Sequence, residues 1–222
     1  MMTLREKMNR LFDDSLSQKG EERDMFTSNW STVLPYLTTG LIFWGLITSV
    51  INEVENMFIT SAGYLKDVAM PVSIHFYRML ARNLIVWLYN MAIYVLVFVV
   101  FIKGVNLDFV WFVPGFALFV ANLAWMGVFV GIISTRFRDI PQVIANLLQV
   151  IFFITPVFWS LESFPDRPHF VTLNPIYHLI EIVRSPLLGQ PVNPESWLAA
   201  LGMAIIGSLI TFWLFSRTRH RI

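Results

Sequence analysis

Five stretches of this chain contain no Asp, Glu, Lys or Arg: Met25 to Asn52, Asn83 to Ile102, Phe109 to Thr135, Ile140 to Leu161 and Ser196 to Ser216. Each is long enough to cross a hydrocarbon core of about 30 Å as a helix of roughly 20 residues. The pattern predicts an all-α integral membrane protein with spans near 31–52, 83–102, 110–134, 141–161 and 196–216. Between the third and fourth windows lies a small charged island, Ser134-Thr-Arg-Phe-Arg-Asp-Ile-Pro-Gln142, which reads as a tight turn at a membrane face.

The polar segments have patterns of their own. Residues 1–28 form a charged N-terminal segment, in which 1–16 read as an amphipathic helix with Leu4, Met8, Leu11, Phe12 and Leu16 on one stripe. From Asn52 to Arg82, Gly63 and Pro71 punctuate two short helical stretches. There Leu65, Val68 and Ala69 make a small apolar face against Lys66 and Asp67, either a docking element for a partner protein or a helix resting on lipid headgroups. From Leu161 to Pro194 the chain is too apolar for a free loop, and prolines at 165, 168, 175, 186, 191 and 194 cut it into short pieces. Short re-entrant helices capping a pathway, or a compact lid, both fit that pattern.

Lys and Arg set the orientation, because cytoplasmic flanks carry their excess. The tail Arg217 to Arg221, the island with Arg136 and Arg138, and the segment with Lys66, Arg78 and Arg82 face the cytoplasm together in a five-span arrangement. Residues 162–195 and the N-terminus are then expected outside.

Composition agrees with this picture and narrows the function. The chain is 56% hydrophobic and 14% charged, with a mean hydropathy of +0.61. It has no Cys, which excludes disulfides, thiolate-bound zinc and thiol catalysis. A net charge of +1 gives no support to a nucleic-acid partner. No glycine lies in a phosphate-cradling loop, and neither a zinc-protease nor a nucleophile-elbow motif occurs, so no catalytic or metal-binding residues are expected. An energy source must come from another chain or from a gradient. Since every predicted span lacks Asp, Glu, Lys and Arg, a proton-coupled carrier is disfavoured. Glu181 and Arg184 share a helical face at i,i+3, as a structural pair.

Aromatic residues make up 15% of the chain. Those at span ends read as interfacial anchors. Within the spans, Phe43, Trp44, Tyr89, Asn90, Tyr94, Asn122, Trp125, Asn146, Gln149, Phe152 and Phe153 are candidates for lining a passage, where flat rings stack on sugars and amides bond hydroxyls. Helix packing or lipid contact is the alternative role for each.

Three runs carry a resemblance. Ser134 to Trp159 closely resembles the characteristic run of ABC-2 type permeases that export bacterial polysaccharides; Leu173-Asn-Pro-Ile-Tyr-His-Leu-Ile-Glu-Ile-Val-Arg-Ser-Pro-Leu-Leu-Gly189 is similar to their external element, and Leu34 to Trp44 to the start of their second span. The likeness covers residues 30–222 in consistent order, with 29–222 as the transmembrane domain. It implies a homodimer around a channel in the bacterial inner membrane. Separate ATP-binding cassette subunits would use ATP and Mg, and the substrate would be a lipid-linked O-antigen, capsular or teichoic-acid type glycan. It places Lys66, Asp67, Met70, Pro71, His75 and Tyr77 in the ATPase-coupling region. It also makes Trp159, Asn174, Pro175, Tyr177, His178, Glu181 and Arg184 parts of an external gate. Family members usually have six spans, so a first span is expected to be missing here. A drug or lipid exporter of the same family, and a non-transporting scaffold, are the other functions the sequence admits.

Overall fold

A computed structural model describes residues 30–55, 72–101, 107–137, 139–157 and 169–218. The N-terminal amphipathic stripe, Lys66, Asp67, Met70, Pro71 and Trp159 lie outside the described residues. Within them all regular structure is helical: α1 (Trp30–Glu55), α2 (Val72–Phe101), a 3-10 turn (Leu107–Trp111), α3 (Phe112–Arg136), α4 (Ile140–Ile154), α5 (His169–Thr172), α6 (Pro175–Leu187) and α7 (Pro194–Thr218). Helices α1, α2, α3 and α7 are long and apolar enough to cross a membrane.

Two expectations change. The second span does not begin at residue 83: α2 starts at Val72, because Arg78 and Arg82 interrupt the charge-free window without interrupting the helix. The fourth span is not one helix from 141 to 161. Helix α4 has 15 residues, about 22 Å at 1.5 Å per residue, and stops at Ile154. The cause is local. Proline disfavours helical backbone at the residue before it, and Thr155 is extended (φ −80, ψ 133) ahead of Pro156.

Helix α1 supplies the spine of the core. Phe43, Ile47, Val50 and Val54 recur at i, i+4, i+7 and i+11 and are fully buried. Around Phe43 the rings of Trp87, Phe112, Phe116 and Phe119 gather with centroids 5.3–6.4 Å away, tying α1 to α2 and α3. Helices α3 and α7 run parallel and close. Asn122 Nδ2 donates to the Ala200 carbonyl at 3.1 Å, and the Trp125 indole donates to Asn122 Oδ1 at 2.9 Å. Gly207 gives Trp125 its space, since a Cβ there would come within 2.3 Å of the ring.

These contacts collect charge at one end. Glu53 of α1 pairs with Arg82 of α2 and accepts from Asn83 Nδ2 at 2.6 Å. Val54 lies beside Gly127 of α3, so this end is also the end of Arg136 and Arg217. Among the described residues, every arginine except Arg184 lies at that end. By the bias of basic residues it is the cytoplasmic end, and the opposite end is called outer below.

Candidate functional site

Helix α4 is the least enclosed of the long elements: Leu148 is its one buried residue. With about 3.6 residues per turn, its exposed surface divides into two strips. Gln142, Asn146, Gln149 and Phe153 fall within one narrow stripe, and Val143, Leu147, Val150 and Ile154 make the neighbouring apolar strip. The stripe is about 16 Å long and carries three uncharged amides on a helix otherwise made of aliphatic and aromatic residues. Gln142 Nε2 donates to Asn146 Oδ1 at 3.3 Å along it. Amides left against hydrocarbon have no partner for their remaining donors and acceptors, a cost of several kcal/mol per group in a strictly apolar solvent, roughly 4–8 on that scale. The stripe therefore suits water, a polar ligand or another protein surface.

Where α4 breaks, side chains from α1 and α6 close on it. The Thr155 hydroxyl returns to the Ile151 carbonyl at 2.7 Å, and Val157 N donates to the Thr155 carbonyl at 2.7 Å, a tight turn centred on Pro156. The Pro156 carbonyl, thrown clear of the helix, accepts from Arg184 Nη1 of α6 at 2.7 Å and from Tyr36 Oη of α1 at 2.9 Å. The Arg184 guanidinium lies over the Tyr36 ring at 4.0 Å, and its Nη2 donates to Glu181 Oε2 at 2.6 Å. Ser185 Oγ donates to the other Glu181 oxygen at 2.9 Å. Arg184 is 2% exposed, so its charge is balanced and its planar fork used wholly inside the protein.

The segment expected to form short re-entrant helices or a compact lid is a buried plug. Along α6 every residue from Leu179 to Leu187 is buried except the partly buried Glu181. Its first turn is capped by Asn174, whose Oδ1 accepts from Ile176 N at 3.0 Å while its Nδ2 donates to Thr155 Oγ1 at 2.8 Å. Its last turn is held by Tyr94 of α2, which donates to the Leu187 carbonyl at 2.6 Å. His178 bridges α5 and α7: Nε2 is 2.8 Å from the Thr172 carbonyl and Nδ1 is 3.0 Å from Ser196 Oγ. The carbonyl only accepts, so Nε2 carries the proton and Nδ1 is left to accept from Ser196 in the neutral ring. Replacing Asn174 with alanine removes both the cap and the tie to Thr155. The expected loss is about 1–2 kcal/mol, read as a lowered unfolding midpoint in detergent micelles, with Asn174→Ser recovering part of it.

The residues singled out for a passage separate into groups. Asn146, Gln149, Phe152 and Phe153 share α4, with Phe153 59% exposed and Phe152 packed on Trp44 at 5.2 Å. Phe43 and Asn122 are fully enclosed by neighbouring helices, Trp44 and Tyr94 are buried, and Trp125 fills the space at Gly207; these five are packing residues of this chain and not open surface. Tyr89 and Asn90 stand on the exposed face of α2 among Val86, Leu88 and Ile93. In the coupling region, Tyr77 is exposed and His75 half-buried on the first turns of α2. Of the gate residues, Asn174, Glu181 and Arg184 meet at the α4 break, Tyr177 is buried against His178, and Pro175 opens α6. Tyr36, expected only as an interfacial anchor, and Thr155 and Pro156, which stand within the Ser134 to Trp159 run, were not among the expected site residues. The Thr-Pro pair inside an apolar window was the available signal for a break there.

No curated protein matches this chain. A family model described as ABC-2 type transporter matches residues 8–188, which takes in α1 to α6 together with the α4 break and the buried arginine that closes it. The chain therefore belongs to the ABC-2 type transporter family, the multi-pass membrane subunits of ABC exporters that work with an ATP-binding cassette partner.

Proposed function

We propose that this chain forms the channel of an ATP-driven exporter that moves a lipid-linked polysaccharide across the bacterial inner membrane. Two copies would assemble with α4 of each facing the passage. The observation that carries this reading is the divided open face of α4. Its apolar strip (Val143, Leu147, Val150, Ile154) suits packing on a second copy, and its amide stripe (Gln142, Asn146, Gln149) with the Phe153 ring suits a chain of hydroxyls passing along it. Uncharged amides bond sugar hydroxyls without trapping ions, and an exposed ring offers a face for sugar CH groups. The ATP-binding cassette partner would dock on the basic end, near His75, Tyr77 and the segment that precedes them.

Export is tested at the stripe. The double substitution Asn146→Leu and Gln149→Leu keeps helix propensity and removes both amides. It is expected to leave membrane insertion and partner binding intact while lowering glycan delivery to the cell surface by tenfold or more, about 1.4 kcal/mol or above in barrier terms. Undiminished delivery in the double variant would take α4 out of the passage. ATP hydrolysis by the assembled transporter, measured with and without lipid-linked glycan, separates a glycan exporter from one whose cargo is a small lipid or drug.

A further inference from the structure

The Pro156 carbonyl is the one point at which α1, α4 and α6 are joined by polar side chains among the described residues, and Arg184 holds it by a geometry that a simple charge pair does not need. A pair with Glu181 occupies one edge of the guanidinium, through Nη2. The other terminal nitrogen, Nη1, is spent on a backbone carbonyl 28 residues away, and the planar face lies on Tyr36. Each of these contacts restrains one direction of movement of the α4 outer end: the hydrogen bonds fix the distance to α6, and the stacked ring fixes α1 beneath. The backbone approaches reinforce it, since a Cβ at Gly40 of α1 would be 2.7 Å from the Val157 carbonyl. Helix α6 itself is wedged against α3, with Gly115 so close that a Cβ would lie 2.6 Å from the Ile182 carbonyl. The plug is thus a fixed body, and the lightly packed α4 is the part free to tilt.

We infer that Arg184 is a positioning residue that sets the outer end of α4, making the Thr155–Pro156 break the fixed pivot of the helix that walls the passage. The inference rests on the reading of α4 as that wall. Movement during export then occurs at the cytoplasmic end of α4, where Gln142 and Asn146 lie, while the outer end turns about the clamp with α6 held still.

The test uses the full chain in liposomes with a spin label at Phe153→Cys, the only cysteine present in a chain that has none of its own. The comparison variant is Arg184→Met with Glu181→Leu, which removes both charges and keeps side-chain bulk. A merely structural ion pair predicts that this neutral pair, if folded, restores the wild-type label spectrum. The clamp predicts an unchanged unfolding midpoint together with a severalfold rise in the mobile spectral component, because the Pro156 carbonyl has lost its donor from α6. Tyr36→Phe, which keeps the ring beneath the guanidinium but removes the hydroxyl bonded to the Pro156 carbonyl, is expected to fall between wild type and the neutral pair. Should the neutral pair fail to fold, Arg184→Lys decides: its ammonium keeps the charge opposite Glu181 but has no second, fixed nitrogen for the carbonyl, so a mobile label supports the clamp. A wild-type spectrum in the folded variant overturns it. Permeability of the same liposomes to a small solute tests the wall separately, since a mobilised label with unchanged permeability leaves the clamp standing and sinks the channel reading.

Discussion

Replacing Glu181 alone with leucine is expected to destabilise the protein by about 3–5 kcal/mol, the cost of leaving a buried guanidinium without its counter-charge. The environment sets the size of the effect. Arg184 is 2% exposed and its side chain is enclosed by the Tyr36 ring, the Pro156 carbonyl and Glu181. Water does not reach it to replace the carboxylate, and neither the ring nor the carbonyl carries a formal charge. Ser185 Oγ, itself buried, loses its acceptor in the same substitution. Arg184→Met alone is expected to cost a comparable amount, since it strands the Glu181 carboxylate and one donor to Pro156. The two costs do not add. Removing both charges leaves no ion buried without a partner, so the double variant is expected to lie near wild type and far from the sum of the singles. Equilibrium unfolding of the three variants in mixed micelles gives the coupling directly, and additive losses would show that the two residues are not an interacting pair. Because the neutral pair keeps the fold, the label experiment at residue 153 can isolate what the arginine does beyond charge balance.

The membrane helices were legible because lipid forbids charge, and the charge-free windows mark where the chain can tolerate it. The predicted spans 110–134 and 196–216 lie inside α3 (Phe112–Arg136) and α7 (Pro194–Thr218) to within two residues. The same rule misplaced the start of α2, where Arg78 and Arg82 interrupt the charge-free window without interrupting the helix, and it overran α4, since Thr155 and Pro156 are uncharged yet end the helix. The Glu181–Arg184 pair was readable from helical spacing, but its third member was not, because the acceptor is a backbone carbonyl on another element and a carbonyl has no letter in the sequence. For the same reason Asn122 and Asn146 look alike as amides in apolar windows. Asn122 turns out to be enclosed between α3 and α7 and bonded to the Ala200 carbonyl, whereas Asn146 lies on a face that no described residue covers. What distinguishes them is which helix stands opposite, and that is settled by tertiary packing.

Gly115→Val is expected to be more damaging than any single substitution on the open surface of the helices, for a reason located in α6. A Cβ at residue 115 would stand 2.6 Å from the Ile182 carbonyl oxygen and 3.4 Å from the Trp197 ring, and the first of these is backbone that no rotamer change relieves. Helix α3 or α6 must move. Overpacking of this kind typically costs about 1–3 kcal/mol for one or two added carbons, and a β-branched side chain in a helix has little freedom to turn away. Moving α6 also shifts Arg184, which lies two residues past Ile182, so the clamp on Pro156 should loosen together with the fold. Gly45 and Gly202 provide the control. Both are helical glycines with no described residue within 4 Å of where a Cβ would stand, so Gly45→Ala and Gly202→Ala are expected to be neutral or to stabilise by about 0.4–1 kcal/mol through lower unfolded-state entropy. Gly115→Ala should then fall on the other side of zero, and Gly115→Val further still. Unfolding midpoints for the four variants order the series, and a Gly115→Ala protein as stable as Gly202→Ala would mean that α3 and α6 are not in backbone contact. In that case α6 would no longer be braced by α3, and the assignment of movement to α4 about a fixed plug would fail with it.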